Sequence, residues 1–390
     1  MNAPCIVDRV SSIRDATLFA QQRSEIDAFF NQYIPANRPI ALLQFPFDPN
    51  VGNYMMWLAI SDYLKRRGVR VAYAAHEYNF RLRNLQEAVG DGPILFLGGV
   101  TVSRLWPSHA KMKRTVAAAC PDNRLISLPS TMLFVDDEDR REASSMFGDH
   151  RNVVMMARDP VSAKSAREAF PDNVTVAAIH DSAFRLPQQP RLSAPTQDII
   201  WLARDDHEST GATAPSDVQV FDWADVRHVG HLGVDRVLSR LRISAPMLSP
   251  LVNAQVNTSY DWISRYVLAR GNRTLDAAKV LVTDRVHPHV LAALRSQPCV
   301  LLPDRYGKNR AVYEYSSRNY SSIHWADTPR QALGLARELA ASSRPAAATA
   351  SRADPIGALG AIWQEAQVSP HQIEVLQHLA DAAARLALVA

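Results

Sequence analysis

The residues best suited to chemistry lie in two short stretches of the C-terminal half. KVLVT runs into Asp284, Arg285 and His287, and the next apolar run, PCVLLP, ends in DRYGKNR with Lys308, Asn309 and Arg310. Two successive strand ends thereby gather cations and a histidine at one edge, the composition that a small, multiply charged anion needs. A histidine beside such an anion is kept protonated and can serve as an acid, which separates His287 from His289, a residue expected to be structural. The competing reading is a salt-bridge network in which these cations pair with Asp284 and Asp304.

Three segments nearer the N-terminus carry weaker signals. QFPFDPNVGNYMMWL places Asp48, Asn50, Gly52 and Asn53 between a strand and a helix. Glycine there lets backbone approach a ligand and the helix start offers free amides, although a tight turn capped by Asn50 or Asn53 explains the same residues. ILFLGG ends in the pair Gly98 and Gly99, which alone reads as a turn. VVMMARDPVSAKSA brings Arg158 to a strand end, either to grip a carboxylate or phosphate or to pair with Asp159.

Hydrophobic periodicity supplies the scaffold for these residues. From about residue 39, PIALLQF, VGNYMMWLAISDYLKRRG, VRVAYAA, PILFLGG, RLISL, NVVMMA, VSAKSAREAF and VTVAAI alternate short apolar runs with amphipathic ones. That is the pattern of a parallel α/β sheet. RLPQQPRLSAPTQ at 185–197 interrupts it as a linker. A second α/β unit continues through DIIWLAR, DVQVFDW, helices at VDRVLSRLR and SYDWISRYVLAR, then AAKVLVT, VLAALRS, PCVLLP and SSIHW. The expected organisation is an N-terminal domain at 1–186, a C-terminal domain at 198–340, a flexible connection at 341–355 and helices at 356–390. Ligands of open α/β sheets bind beyond the carboxyl ends of the strands, where all four segments fall.

Composition narrows the class. A chain of 390 residues exceeds one hydrophobic core, which supports two domains. Cys5, Cys120 and Cys299 are odd in number and widely spaced, so a reducing, cytoplasmic setting is expected. Neither a signal peptide nor an apolar run long enough to span a membrane is present in the sequence. The net charge of +4 is spread along the chain, and no nucleic-acid module or metal-ligand spacing is found, so no nucleic-acid partner, metal or cofactor is predicted.

Taken in order, the segments NxGN, GG, ARDxxS, TDRVH and YGKNRAVYEY resemble the polysaccharide pyruvyl transferases over roughly residues 40 to 330. TDRVH followed by YGKNRAVYEY is the most specific part. Three positions depart from the family pattern: Asn53 stands where the family has an acid, Pro288 follows His287 where glycine is usual, and Val100 replaces the third glycine of GGG.

The resemblance implies two Rossmann-like domains facing across a cleft, similar to the GT-B glycosyltransferase fold, with acceptor on the N-terminal side and donor on the C-terminal side. It implies phosphoenolpyruvate as donor and a hexose of an exopolysaccharide or lipid-linked precursor as acceptor, converted to a cyclic pyruvate ketal. It also implies an enzyme that works in the cytoplasm at the inner membrane face. On this reading Arg158, Arg285, His287, Lys308 and Asn309 bind donor. Asn50, Gly52, Asn53, Gly98 and Gly99 meet acceptor, His287 is the acid and Asp48 the base. A nucleotide-sugar glycosyltransferase and a non-catalytic sugar-binding protein are the alternatives. The first would need a ribose-binding carboxylate that the sequence does not display.

Overall fold

A computed structural model describes residues 6–99, 102–147, 150–211, 214–215, 218–223 and 249–342. Cys5, Val100, the expected helix at 234–242, most of the 341–355 connection and the helices at 356–390 lie outside the described residues.

Among the described residues, eleven strands form two sheets. Strands β1 (Ile40–Leu43), β2 (Val71–Ala75), β3 (Ile94–Phe96), β4 (Leu125–Ser130), β5 (Val153–Ala157) and β6 (Val174–Ala178) make the first, in the order β2-β1-β3-β4-β5-β6. Strands β7 (Gln197–Leu202), β8 (Val220–Phe221), β9 (Ala278–Thr283), β10 (Cys299–Leu301) and β11 (Ile323–Trp325) make the second, ordered β11-β10-β9-β7-β8. Every pairing is parallel. β1, β3, β4 and β5 are buried at every position, as strands covered on both faces must be. The fold is the expected one, two Rossmann-like α/β units.

Ten α-helices complete the described chain. They are α1 (Ile6–Tyr33), α2 (Val51–Arg66), α3 (Leu82–Val89), α4 (Pro107–Ala119), α5 (Asp137–Phe147) and α6 (Pro160–Ala169), then α7 (Ser249–Asp276), α8 (Val286–Leu294), α9 (Lys308–Val312) and α10 (Pro329–Ser342). Asn50 caps α2 by accepting the Gly52 N–H at 3.1 Å, and Asp159 caps α6 by accepting the Ser162 N–H at 2.7 Å, with Pro160 in its first turn.

One hydrophobic cluster runs through both units. α7 comes after the second unit's β8 in sequence yet packs on the first: the Tyr260 ring stacks on Phe45 at 3.7 Å, and Asp261 accepts the Ser61 hydroxyl at 2.7 Å. α1, whose Phe19, Ile26 and Phe30 are buried at helical spacing, ties across to the segment just before β11 of the second unit. There Gln22 accepts the Tyr320 hydroxyl at 2.6 Å and Asp15 accepts that of Ser321 at 2.7 Å. No sequence expectation covered that helix, although the spacing was there to read.

Register then places the chemistry. Leu202 and Leu301 both lie beside Thr283, so β7, β9 and β10 end level with one another. The Thr283 hydroxyl donates to the Leu202 carbonyl at 2.8 Å and locks that alignment. Arg204 and Arg285, just beyond β7 and β9, and Lys308, at the start of the helix that follows β10, therefore emerge at a single edge.

Candidate active site

A cavity of about 330 Å³ opens between the carboxyl edges of the two sheets. The first unit contributes Asp48, Asn50 and Asn53 from the loop after β1, Glu77 and Tyr78 from the loop after β2, Gly98, Gly99, Trp106 and His109 from the region after β3, and Arg158 after β5. The second contributes Arg204, Asp206 and Glu208 after β7, Arg285 and His287 after β9, and Lys308 after β10.

Arg158 is buried, with Nε donating to Thr131 Oγ1 at 2.7 Å and Nη1 to Asp181 Oδ2 at 2.9 Å. It does not pair with Asp159, which is spent on capping α6. Asp181 also faces His287, whose Nε2 lies 3.6 Å away, an ionic contact longer than a hydrogen bond. Burial pushes the Asp181 carboxyl up, but His287, Arg158 and the Ala183 N–H outweigh it and hold the group far below the usual range. His287 is thus clamped between a buried aspartate and the start of α2. A Cβ built on Gly52 would lie 2.2 Å from its imidazole, so residue 52 leaves room for the histidine instead of lining the cavity.

The second unit's cavity-lining cations, Arg204, Arg285 and Lys308, are paired, but not with the partners expected from sequence. Arg285 Nη2 pairs with Asp222 and reaches Asp206 Oδ2 at 3.4 Å, while its buried Nε has no hydrogen-bond partner among the described residues. Lys308 Nζ donates to Glu208 at 2.5 Å, and Arg204 binds both Asp206, at 2.9 Å, and Glu208. Asp284 instead accepts the Arg204 N–H at 2.9 Å, and Asp304 accepts that of Asn309 at 2.7 Å. Burial lowers Lys308 to about 8 against the pull of Glu208. Asp206 falls to about 2, its burial overcome by Arg204 and Arg285.

Asn309 does not reach the cavity. Its Nδ2 donates to the carbonyls of Asp284 and Leu302 at 2.6 and 2.9 Å, tying the β9 and β10 ends together, and this position makes it a brace. Arg310 does not line the cavity either: it is exposed, paired with Glu314 and stacked on Trp325. His289 is buried and bonded to Ser317, as expected of a structural histidine.

On the first unit's wall, Asp48 accepts the Asn50 N–H and the Asn53 amide, each at 2.8 Å. The departure at residue 53 thus meets a carboxylate, where a second acid would repel it. Pro288 is tolerated because the first turn of α8 needs no N–H from it. Gly98 sits where a Cβ would fall 2.2 Å from the Pro129 carbonyl oxygen, and Gly99 holds φ 118°.

Sequence reasoning missed Gln44, Glu77, His109, Asp181 and the whole Arg204–Glu208 segment. Gln44 adopts φ 68°, rare for a side-chain-bearing residue, and its amide donates to the His109 carbonyl at 3.2 Å. Glu77 Oε1 lies 3.1 Å from His109 Nδ1; burial raises the glutamate and lowers the histidine to about 4. Arg-Asp-Asp-His-Glu directly after a strand was a legible signal for the last group.

The model of the polysaccharide pyruvyl transferase family matches residues 50–304, a span that takes in the strand ends carrying Gly98, Arg158, Arg204, Arg285 and His287. The chain belongs to that family. Over 290 residues it is 24% identical to pyruvyl transferase 1 of Schizosaccharomyces pombe, covering 72% of this chain and 70% of the relative. Over 280 residues it is 22% identical to the putative pyruvyl transferase EpsO of Bacillus subtilis, covering 71% and 84%. A solved structure of a functionally uncharacterised Klebsiella pneumoniae protein superposes with TM-score 0.50 at 16% identity, over 79% of this chain and 99% of that one, a likeness of fold. Membership places the chain among enzymes that transfer pyruvate to polysaccharide. No helix among the described residues is long and apolar enough to cross a membrane.

Proposed function

We propose that this pyruvyl transferase moves pyruvate from phosphoenolpyruvate onto two hydroxyls of one hexose in an exopolysaccharide or lipid-linked precursor, releasing phosphate and leaving a cyclic ketal. One observation carries the reading: Arg158, Arg204, Arg285, Lys308 and His287, delivered by strand ends of two separate sheets, line one cavity. A donor bearing a phosphate and a carboxylate matches such a set, because guanidinium groups grip both bidentately.

The chemistry divides in two halves. His287 gives a proton to the methylene carbon; the double-bond electrons form that C–H bond and leave C2 electrophilic. An acceptor hydroxyl oxygen bonds to C2 and passes its proton to Asp48, whose carboxyl is raised by burial and so holds a proton more readily than an exposed aspartate. In the second half the bond from C2 to the phosphate oxygen breaks, its electron pair leaves with phosphate, and the cations stabilise that charge. The second hydroxyl then bonds to C2 and returns a proton to His287, while the proton on Asp48 leaves with phosphate. The acceptor lies against the first unit's wall, where Asn50, Asn53, Gly98 and Gly99 offer polar edges and backbone. The protein works at the cytoplasmic face where lipid-linked saccharides are assembled.

The test is phosphate release from phosphoenolpyruvate by purified protein with a panel of oligosaccharide and lipid-linked acceptors, alongside His287→Ala. Acceptor-dependent release that falls by about a thousandfold in the variant is expected. No release with any acceptor, and no calorimetric binding of phosphoenolpyruvate, would overturn the reading.

A further inference from the structure

Four cations line the cavity, Arg158, Arg204, Arg285 and Lys308, and four carboxylates already face them, Asp181, Asp206, Asp222 and Glu208. A buried cation needs a counter-charge, but the same N–H groups cannot serve a carboxylate of the chain and a donor anion at full strength. An incoming phosphate therefore competes with side chains that are already in place.

The four carboxylates differ in how they are held. Asp181 is fully buried and bonded to the Ala183 N–H at 2.9 Å, Asp222 is buried, and neither lines the cavity. Asp206 and Glu208 do line it, Glu208 as a buried side chain at its wall. Asp206 is anchored further, since its Oδ1 accepts the Glu208 N–H at 3.0 Å. Glu208 Oε2 serves two cavity cations at once, Lys308 and Arg204. The Glu208 backbone is pinned separately, its carbonyl accepting the Arg305 N–H at 3.1 Å. The side chain can thus turn away while the loop stays where it is.

We propose that Glu208 is a built-in counter-anion, standing on Lys308 and Arg204 where the donor's phosphate binds, and that the donor displaces it. The inference rests on the proposed donor reading in taking this cavity as the anion's site. It makes Glu208 a specificity residue: an anion must offer Lys308 and Arg204 more than one carboxylate does. A dianionic phosphate meets that condition and a lone carboxylate, such as that of pyruvate, does not. Free pyruvate is thereby kept out of a site built for its phosphorylated enol.

Calorimetric titration of inorganic phosphate, phosphoenolpyruvate and pyruvate into the full chain, its Glu208→Gln variant and its Asp206→Asn variant tests this. Glu208→Gln should bind phosphate about tenfold more tightly and acquire measurable affinity for pyruvate, whereas Asp206→Asn, which leaves Glu208 on Lys308, should show no gain for pyruvate. A Glu208→Gln protein that melts like the wild type yet binds phosphate no more tightly would overturn the proposal, as would absence of phosphate binding in both. Should that variant fail to fold, a wild-type crystal soaked in phosphate decides: Glu208 turned off Lys308 supports exchange, and Glu208 still seated beside a bound phosphate sinks it. Wild type that binds phosphate but not phosphoenolpyruvate would remove the donor reading and leave the exchange standing.

Discussion

The two walls of the cavity are built from the same kind of α/β unit and hold their cavity-lining carboxylates in opposite ways. On the second unit's wall, carboxylates sit among guanidinium groups: Asp206 falls to about 2 and Glu208 is also held low, its burial outweighed by Lys308 and Arg204. On the first unit's wall, Asp48 and Glu77 are raised by burial, beside Phe47, Tyr78 and Trp106. A wall of charged pairs suits an anion that can take a carboxylate's place on the cations. A wall of reluctant carboxyls and aromatic rings suits a neutral polyol whose hydroxyl must lose a proton. His287 belongs to the charged wall by sequence but is wedged against α2 of the other, so it stands at the joint between the two walls.

Arg285→Ala strikes the charged wall hardest. The donor loses a buried guanidinium, and cavity-lining Asp206 and buried Asp222 each lose one of their cations. The expected result is a loss of about a thousandfold in kcat/KM for phosphoenolpyruvate, with the acceptor KM nearly unchanged. Initial rates with each substrate varied in turn would show it. A loss appearing chiefly in the acceptor KM would mean that the walls have been assigned the wrong way round.

Gly52→Ala probes the joint between the walls. The new Cβ would lie 2.2 Å from the His287 imidazole, so the ring must shift, although residue 52 itself does not line the cavity. A displacement of that size at the proton donor should cost about a hundredfold in kcat while donor affinity changes little. An unaltered kcat would show that the position of His287 against α2 is immaterial to catalysis.

Much of this was legible from residues whose spacing has one physical meaning. The strand-to-loop transitions at Asp48, Gly98, Arg158, Arg285 and Lys308 could be located because apolar runs stop abruptly, and parallel sheets put such stops at one edge. Partners were not legible. That Arg158 would meet Asp181, and Lys308 meet Glu208 100 residues away in the chain, depends on how two sheets face each other, which no local pattern records. Asn309 was assigned to the donor by resemblance alone, whereas its side chain turns inward to brace two strand ends. Gln44 could not have been singled out at all, because a left-handed backbone at a glutamine leaves no mark in composition.

The smallest effect expected is one of stability, and it tests whether the charged wall is costly to maintain. Asp284 is buried, and its carboxyl is raised to about 6 by that burial, against the opposing pull of the Arg204 N–H and the charges of Arg204 and Arg285. In the unfolded chain an aspartate titrates near 3.9. The folded protein therefore holds this proton more tightly than the unfolded one. Asp284 contributes stability that is fully present below about pH 4, fades as pH rises toward about 6, and is gone above it. Asp284→Asn keeps an acceptor for the Arg204 N–H but cannot ionise, so the variant should gain on the wild type between pH 4 and pH 7.5 by at most about 3 kcal/mol. Urea denaturation of both proteins at the two pH values measures the difference. If their stabilities instead fall and rise in parallel, the neighbouring arginines neutralise Asp284 fully and the charged wall costs the fold nothing at that position.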